Sequence, residues 1–233
     1  MKNYKLSDET KTLPCGTVLH RIVATTTFTL ACGLTIPEGD VGGWIEKESN
    51  LSDNAWVFGD AQVYGNALVC DNALVYGNAK VSGNAKVSSN AEISDNAKAS
   101  GNAQVSGNAE VYDNAQVSGN ALIYGDAQVC DDAQVSGDAM VRDNAMVYGD
   151  AQVYGDAKVY GGALVHGYTQ VYGYAQVYGD AEVFGYAQVF NYAQVSGDAL
   201  VSDSAKVYGN AQASCNAWVC GNAEVFGYTR IYD

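Results

Sequence analysis

The chain has 233 residues, 12 Lys and Arg against 26 Asp and Glu, and a formal net charge of −14. That balance disfavours nucleic acid and anionic membrane as partners, and two histidines in the whole chain cannot supply a three-histidine zinc site. The six cysteines lack metal spacing, since Cys215 and Cys220 have no histidine or second pair beside them, so free thiols in a reducing cytoplasm are expected.

The first fifty residues form a segment of their own. Tyr4-Lys5-Leu6 and the stretch from Thr17 to Leu30 read as strands, separated by a turn near Pro14-Cys15-Gly16. No basic-then-apolar leader opens the chain, and the threonine-rich stretch from Ile22 to Ile36 is too short to span a bilayer. A soluble, cytoplasmic chain without a signal peptide is the expectation. Gly39 to Glu46 then leads into the remainder, and residues 1–50 are expected to cap it.

From Ala55 to Ile231 one six-residue phrase, Ala-x-Val-y-Gly-Asn/Asp, recurs thirty times without insertion or deletion. The first slot is Ala in 28 of the thirty, with Thr169 and Thr229 the exceptions; the third is Val or Ile in 28, with Ala99 and Ala213 the exceptions. Residues two apart in an extended segment point the same way, so Ala and Val share the inside while x points out. A small residue beside a β-branched one suits a narrow interior shared by parallel strands. Gly followed by Asn or Asp tolerates positive φ at a tight corner. Each hexad is therefore one short strand and one turn, and neither proline of the chain, Pro14 or Pro37, falls among them.

This alternation of an aliphatic and a small residue every six positions resembles the hexapeptide-repeat family, over residues 51–233. The leader resembles that of bacterial and phage members of unassigned activity. The resemblance implies an all-β, left-handed parallel β-helix: a triangular solenoid of 18 residues per coil and about ten coils, roughly 48 Å long at the ordinary strand spacing. The repeat runs to Tyr232-Asp233, and an uncapped last coil would expose unpaired backbone and invite end-to-end association.

Residues 18 apart should stack, so outward slots form columns. One carries Gln116, Gln134, Gln152, Gln170 and Gln188, whose amides can bond along the axis, and reads as a polar solvated face. Another carries Trp56, Leu74, Glu92, Glu110, Gln128, Met146, Leu164, Glu182, Leu200 and Trp218. Its apolar members, Trp56, Leu74, Met146, Leu164, Leu200 and Trp218, are a candidate contact stripe for a subunit or protein partner. Nine of the seventeen tyrosines fall between Tyr148 and Tyr192. Tyr168 should stack on Tyr186 and Tyr174 on Tyr192, a second candidate surface, or simply a cross-coil brace.

Many hexapeptide-repeat proteins are trimeric acyltransferases that use acyl-coenzyme A and a histidine base at a shared site. That resemblance makes His166 the one catalytic candidate in the array. Such a base needs a pocket, and no loop interrupts the hexads to build one, so His166 reads instead as a column member between Tyr148 and Phe184. Ice binding fails for want of outward threonine columns. Imitation of DNA is a further alternative, because acids gather at Asp126, Asp131, Asp132, Asp138, Asp143, Asp150 and Asp156. A charge of −13 over about 48 Å gives roughly one per 3.7 Å, half the density of a duplex. The reading that remains is a non-catalytic rigid scaffold, without cofactor or metal. Its contacts would be a protein partner or a second copy, met through the apolar stripe, the tyrosines or the last coil.

Overall fold

Thirty short strands, β6 (Trp56–Val57) through β35 (Arg230–Tyr232), succeed one another every six residues. The structure, a computed structural model, describes residues 2–232. Every third strand pairs in parallel with the one 18 residues on, as Gln116 does with Gln134 and Val117 with Val135. Three faces result: face 1 from Gln62–Val63 onward, face 2 from Leu68–Val69 and face 3 from Trp56–Val57. Thirty strands over three faces make ten coils of a β-solenoid, and among the described residues there is no α-helix and none able to cross a membrane.

The interior follows the hexad. From Ala61 to Ala217 the first-slot residues are buried, and from Val57 to Val219 so are the third-slot ones. Thr169, the one buried hydroxyl among them, donates to the His166 carbonyl at 2.6 Å. The carbonyl it reaches is the one that accepts the first-slot amide in other turns, as from Ala85 to Ser82 at 3.3 Å. Only the fifth slot turns left-handed: Gly107 has φ 74°, and a Cβ there would lie 2.7 Å from the carbonyl oxygen of Gly125 in the next coil. Both the conformation and the close approach therefore favour glycine.

Where the fifth slot is not glycine it is mostly aspartate, and the reason is a hydrogen bond. Asp131 at φ 57° accepts the Gly149 N–H at 2.9 Å, and Asp203 accepts the Gly221 N–H at 2.9 Å. The carboxylate satisfies a corner amide of the following coil, an offset to the strain of a left-handed non-glycine residue.

The N-terminal segment is joined to face 1 by strand pairing. Strands β1 (Tyr4–Thr12) and β2 (Val18–Ala24) form an antiparallel hairpin, and β2 pairs with β5 (Val41–Ile45). The single strand expected from Thr17 to Leu30 is in fact two: β2 stops at Ala24, and Phe28–Thr29 pairs separately with Thr35–Ile36 as β3 and β4. Strand β5 then joins face 1 in parallel, Trp44 to Gln62 and Ile45 to Val63. The hexad register thus begins at Gly43, inside the 1–50 segment, and no clean break falls at residue 51. Asn50 completes the junction: fully buried, it donates side-chain N–H bonds to the carbonyls of Ala67 at 2.8 Å and Gly65 at 3.2 Å. Its amide does there what a strand N–H does in the coils that follow.

Candidate binding faces

The outward column of face 3 divides into two unlike ends. Trp56 is 1 % exposed and Leu74 is buried, both beneath the N-terminal segment. Phe28 packs edge-on against Trp56 with centroids 5.3 Å apart. The expectation that these two lie on a contact surface is corrected: the β3–β4 hairpin folds over that end and makes it core. Met146, Leu164 and Leu200 are half-buried; Met146 and Leu164 pair directly, Glu182 separates them from Leu200, and Trp218 is 71 % exposed. No continuous apolar stripe survives.

The tyrosines do stack as the 18-residue period predicts. Tyr168 and Tyr186 lie 5.1 Å apart at 6°, and Tyr174 and Tyr192 5.0 Å apart at 3°; all four are exposed. A longer ladder escaped the sequence reading. Tyr154, Tyr172, Phe190, Tyr208 and Phe226 stack in five successive coils at 4.9 to 5.5 Å. It occupies the fourth slot after face 1, two residues before Tyr174 and Tyr192, so both columns share one corner. Reading the fourth slot at period 18 would have found it. Burial raises the Tyr154, Tyr160 and Tyr172 hydroxyls above the ordinary tyrosine range.

His166 sits inside such a ladder, stacked on Tyr148 at 4.6 Å and Phe184 at 5.3 Å. Its Nε2 is 2.8 Å from Glu182 Oε1. The same reach, from a fourth slot to the second slot of the next coil, recurs where Tyr76 donates to Glu92 at 2.9 Å and Tyr160 to Gln176 at 3.1 Å. The pair is one instance of a repeated cross-coil bond.

Some acids of the middle coils are similarly engaged. Asp126 and Asp138 accept from Asn108 and Asn120, each at 2.8 Å, and end two amide ladders. One of these runs Asn66, Asn84, Asn102, Asn120 with donor–acceptor distances of 3.2, 2.9 and 2.9 Å. Asp143 pairs with Arg142 at 2.7 Å.

All six cysteines are free thiols, Cys70 and Cys130 buried and the other four exposed. Cys70 gathers with Asp53 and Asp71, their ligand atoms within 4.8 Å of one another, a cluster the spacing of cysteines alone could not reveal. Its groups are occupied otherwise: Asp71 accepts the Ser89 N–H at 2.9 Å, Asp53 accepts the Ser52 hydroxyl at 2.9 Å, and burial pushes the Cys70 thiol up, away from the thiolate a metal needs.

Six stretches of the chain, residues 61–77, 103–117, 115–131, 133–149, 151–167 and 193–209, match the YdcK β-solenoid repeat. Each begins on a first-slot alanine and covers just under one coil. Among curated proteins none matches this sequence. Sequence and coordinates agree on the architecture: the chain is a β-solenoid repeat protein, similar in these coils to the YdcK repeat.

Proposed function

We propose that this chain is a non-catalytic rigid rod that serves as an interaction scaffold and pairs side by side with a second copy of itself. One observation carries the reading: thirty strands keep a single register, and the one candidate base in the array is clamped between two rings and a carboxylate. A general base needs a substrate pocket beside its free nitrogen, and the uninterrupted hexads supply no loop to build one at His166. Six free thiols, two of them buried, fit a cytoplasmic setting.

The contact surface is the aromatic corner between faces 1 and 2. Tyr174 and Tyr192 are 53 % and 58 % exposed and stand beside the five-ring ladder. A second copy matches it best, because only another rod is sure to repeat at the same coil spacing, and a two-fold pairing brings the same patch to itself. Rigid aromatic area contributes strongly to such contacts at low entropic cost. The net charge of −14 opposes the pairing, so salt should strengthen it by screening.

An assay for acyl-coenzyme A turnover tests the non-catalytic half of the proposal. No turnover above that of free coenzyme ester is expected, from wild type or from His166→Ala. Turnover that disappears in His166→Ala would establish the family's enzymatic role instead.

A further inference from the structure

Face 1 carries a second surface that the aromatic corner does not use. Gln116, Gln134, Gln152, Gln170 and Gln188 are direct pairing partners in five successive strands. Among the described residues none of these amides is hydrogen-bonded to another protein group, in keeping with the polar solvated face expected of this column. The rod does zip amides elsewhere, as Asn84 to Asn102 at 2.9 Å, and Gln176 on face 2 accepts from Tyr160 at 3.1 Å. Five adjacent amides thus keep both donor and acceptor free.

Over them lies a trough of about 540 Å³, walled on one side by Asp132, Asp150, Tyr168 and Tyr186. Among the described residues these four side chains also lack hydrogen-bond partners. Tyr168 stacks on Tyr186 through one ring face only; the position one coil earlier is Asp150, so its other ring face is open. The lining holds no cation and no aliphatic side chain. It therefore offers little to an anionic ligand or an apolar segment, and much to hydroxyls that both donate and accept. The amides repeat about every 4.8 Å along the axis, a step close to the advance of one sugar ring in an extended glycan.

We propose that face 1 binds a neutral, extended polysaccharide laid along the rod axis. Gln134, Gln152 and Gln170 bond successive sugar hydroxyls, a sugar ring covers the free face of Tyr168, and Asp150 accepts from a hydroxyl beside it. The site deepens the scaffold reading by giving the rod a ligand, and it lies on a different edge from Tyr174 and Tyr192.

Affinity gel electrophoresis of the full chain tests it, with amylose, dextran, mixed-linkage β-glucan and galactomannan as neutral probes and polygalacturonate as the anionic control. Retardation by at least one neutral polymer is expected, and little change with salt. Gln152→Ala/Gln170→Ala and Tyr168→Ala should each weaken it at least ten-fold, while Gln176→Ala on face 2 leaves it unchanged; circular dichroism checks that all variants keep the fold. No retardation by any neutral polymer would overturn the proposal, as would retardation by polygalacturonate alone or equal binding by the face 1 and face 2 variants. Loss of self-association in the face 1 variants would assign the trough to a second copy instead. Light scattering of the same variants keeps the two readings separable, because the aromatic corner is intact in all of them.

Discussion

The N-terminal and C-terminal coils of the rod have the same interior and differ in what joins one coil to the next on the outside. In the first half asparagine amides run up the corners, Asn66 to Asn84 to Asn102 to Asn120, and end on Asp138. In the second half rings do so, Tyr154 through Phe226. An amide ladder consumes its own donors and acceptors and leaves a surface already satisfied. A ring ladder buries its faces and leaves its edges to solvent, where further apolar area remains to be covered. The difference teaches that the interior of Ala and Val sets the fold, while the corner residues decide whether a stretch of rod is inert or adhesive.

That division can be broken most severely from within. Ile123→Ala removes a fully buried side chain at the centre of the rod and should cost about 2–5 kcal/mol, with hydrogen exchange rising in its own coil and both neighbours. An effect no larger than that of a corner substitution would contradict a shared, tightly packed interior. Next in size, Tyr172→Ala interrupts two ring stacks, each worth about 0.5–1.5 kcal/mol. Exchange should quicken in coils flanking Tyr172 and remain unchanged around Asn102. Gly107→Ala places a side chain at φ 74° against the next coil, at a cost of about 1–2 kcal/mol. Gly107→Asp should cost less despite its size, because the carboxylate can accept the Gly125 N–H as Asp131 accepts that of Gly149; denaturant titration of the two variants compares them. Asn102→Ala, which removes two exposed amide bonds, should cost about 0.5–1.5 kcal/mol.

Alkaline titration is the mildest of these tests. The folded-state pKa of Tyr154, Tyr160 and Tyr172 lies above the unfolded one because of burial. Their contribution is therefore complete below about pH 10, the ordinary tyrosine value, and is lost as pH rises through the raised folded values. Near-UV circular dichroism should hold to higher pH than free tyrosine ionisation and then fall, with Tyr76 of the first half, also raised by burial, following the same course. A fall already at about pH 10 would contradict the burial of these rings.

Much of this was legible in the bare sequence, for a physical reason. A solenoid coil touches only its neighbours, so the period fixes which residues meet, and stacks such as Tyr168 on Tyr186 or His166 between Tyr148 and Phe184 follow by counting. What counting cannot reach is tertiary in the ordinary sense. Trp56 reads as outward because its slot is outward; it is buried only because Phe28 and the β3–β4 hairpin fold back over it. Asp131 reads as surface charge, and its service to the next coil's amide emerges only once the fifth slot is known to be left-handed. The glutamines of face 1 stack where counting puts them, but the period alone does not say whether their amides bond along the axis or stay free.

The scaffold account stands or falls most directly on mass in solution, measured by light scattering over a range of concentrations at low and high salt. The account predicts a mass that rises from monomer toward dimer with concentration and with salt, and a Tyr174→Ser/Tyr192→Ser variant that stays monomeric throughout. A sharp trimer unchanged on dilution, or a wild-type monomer under every condition, would contradict it.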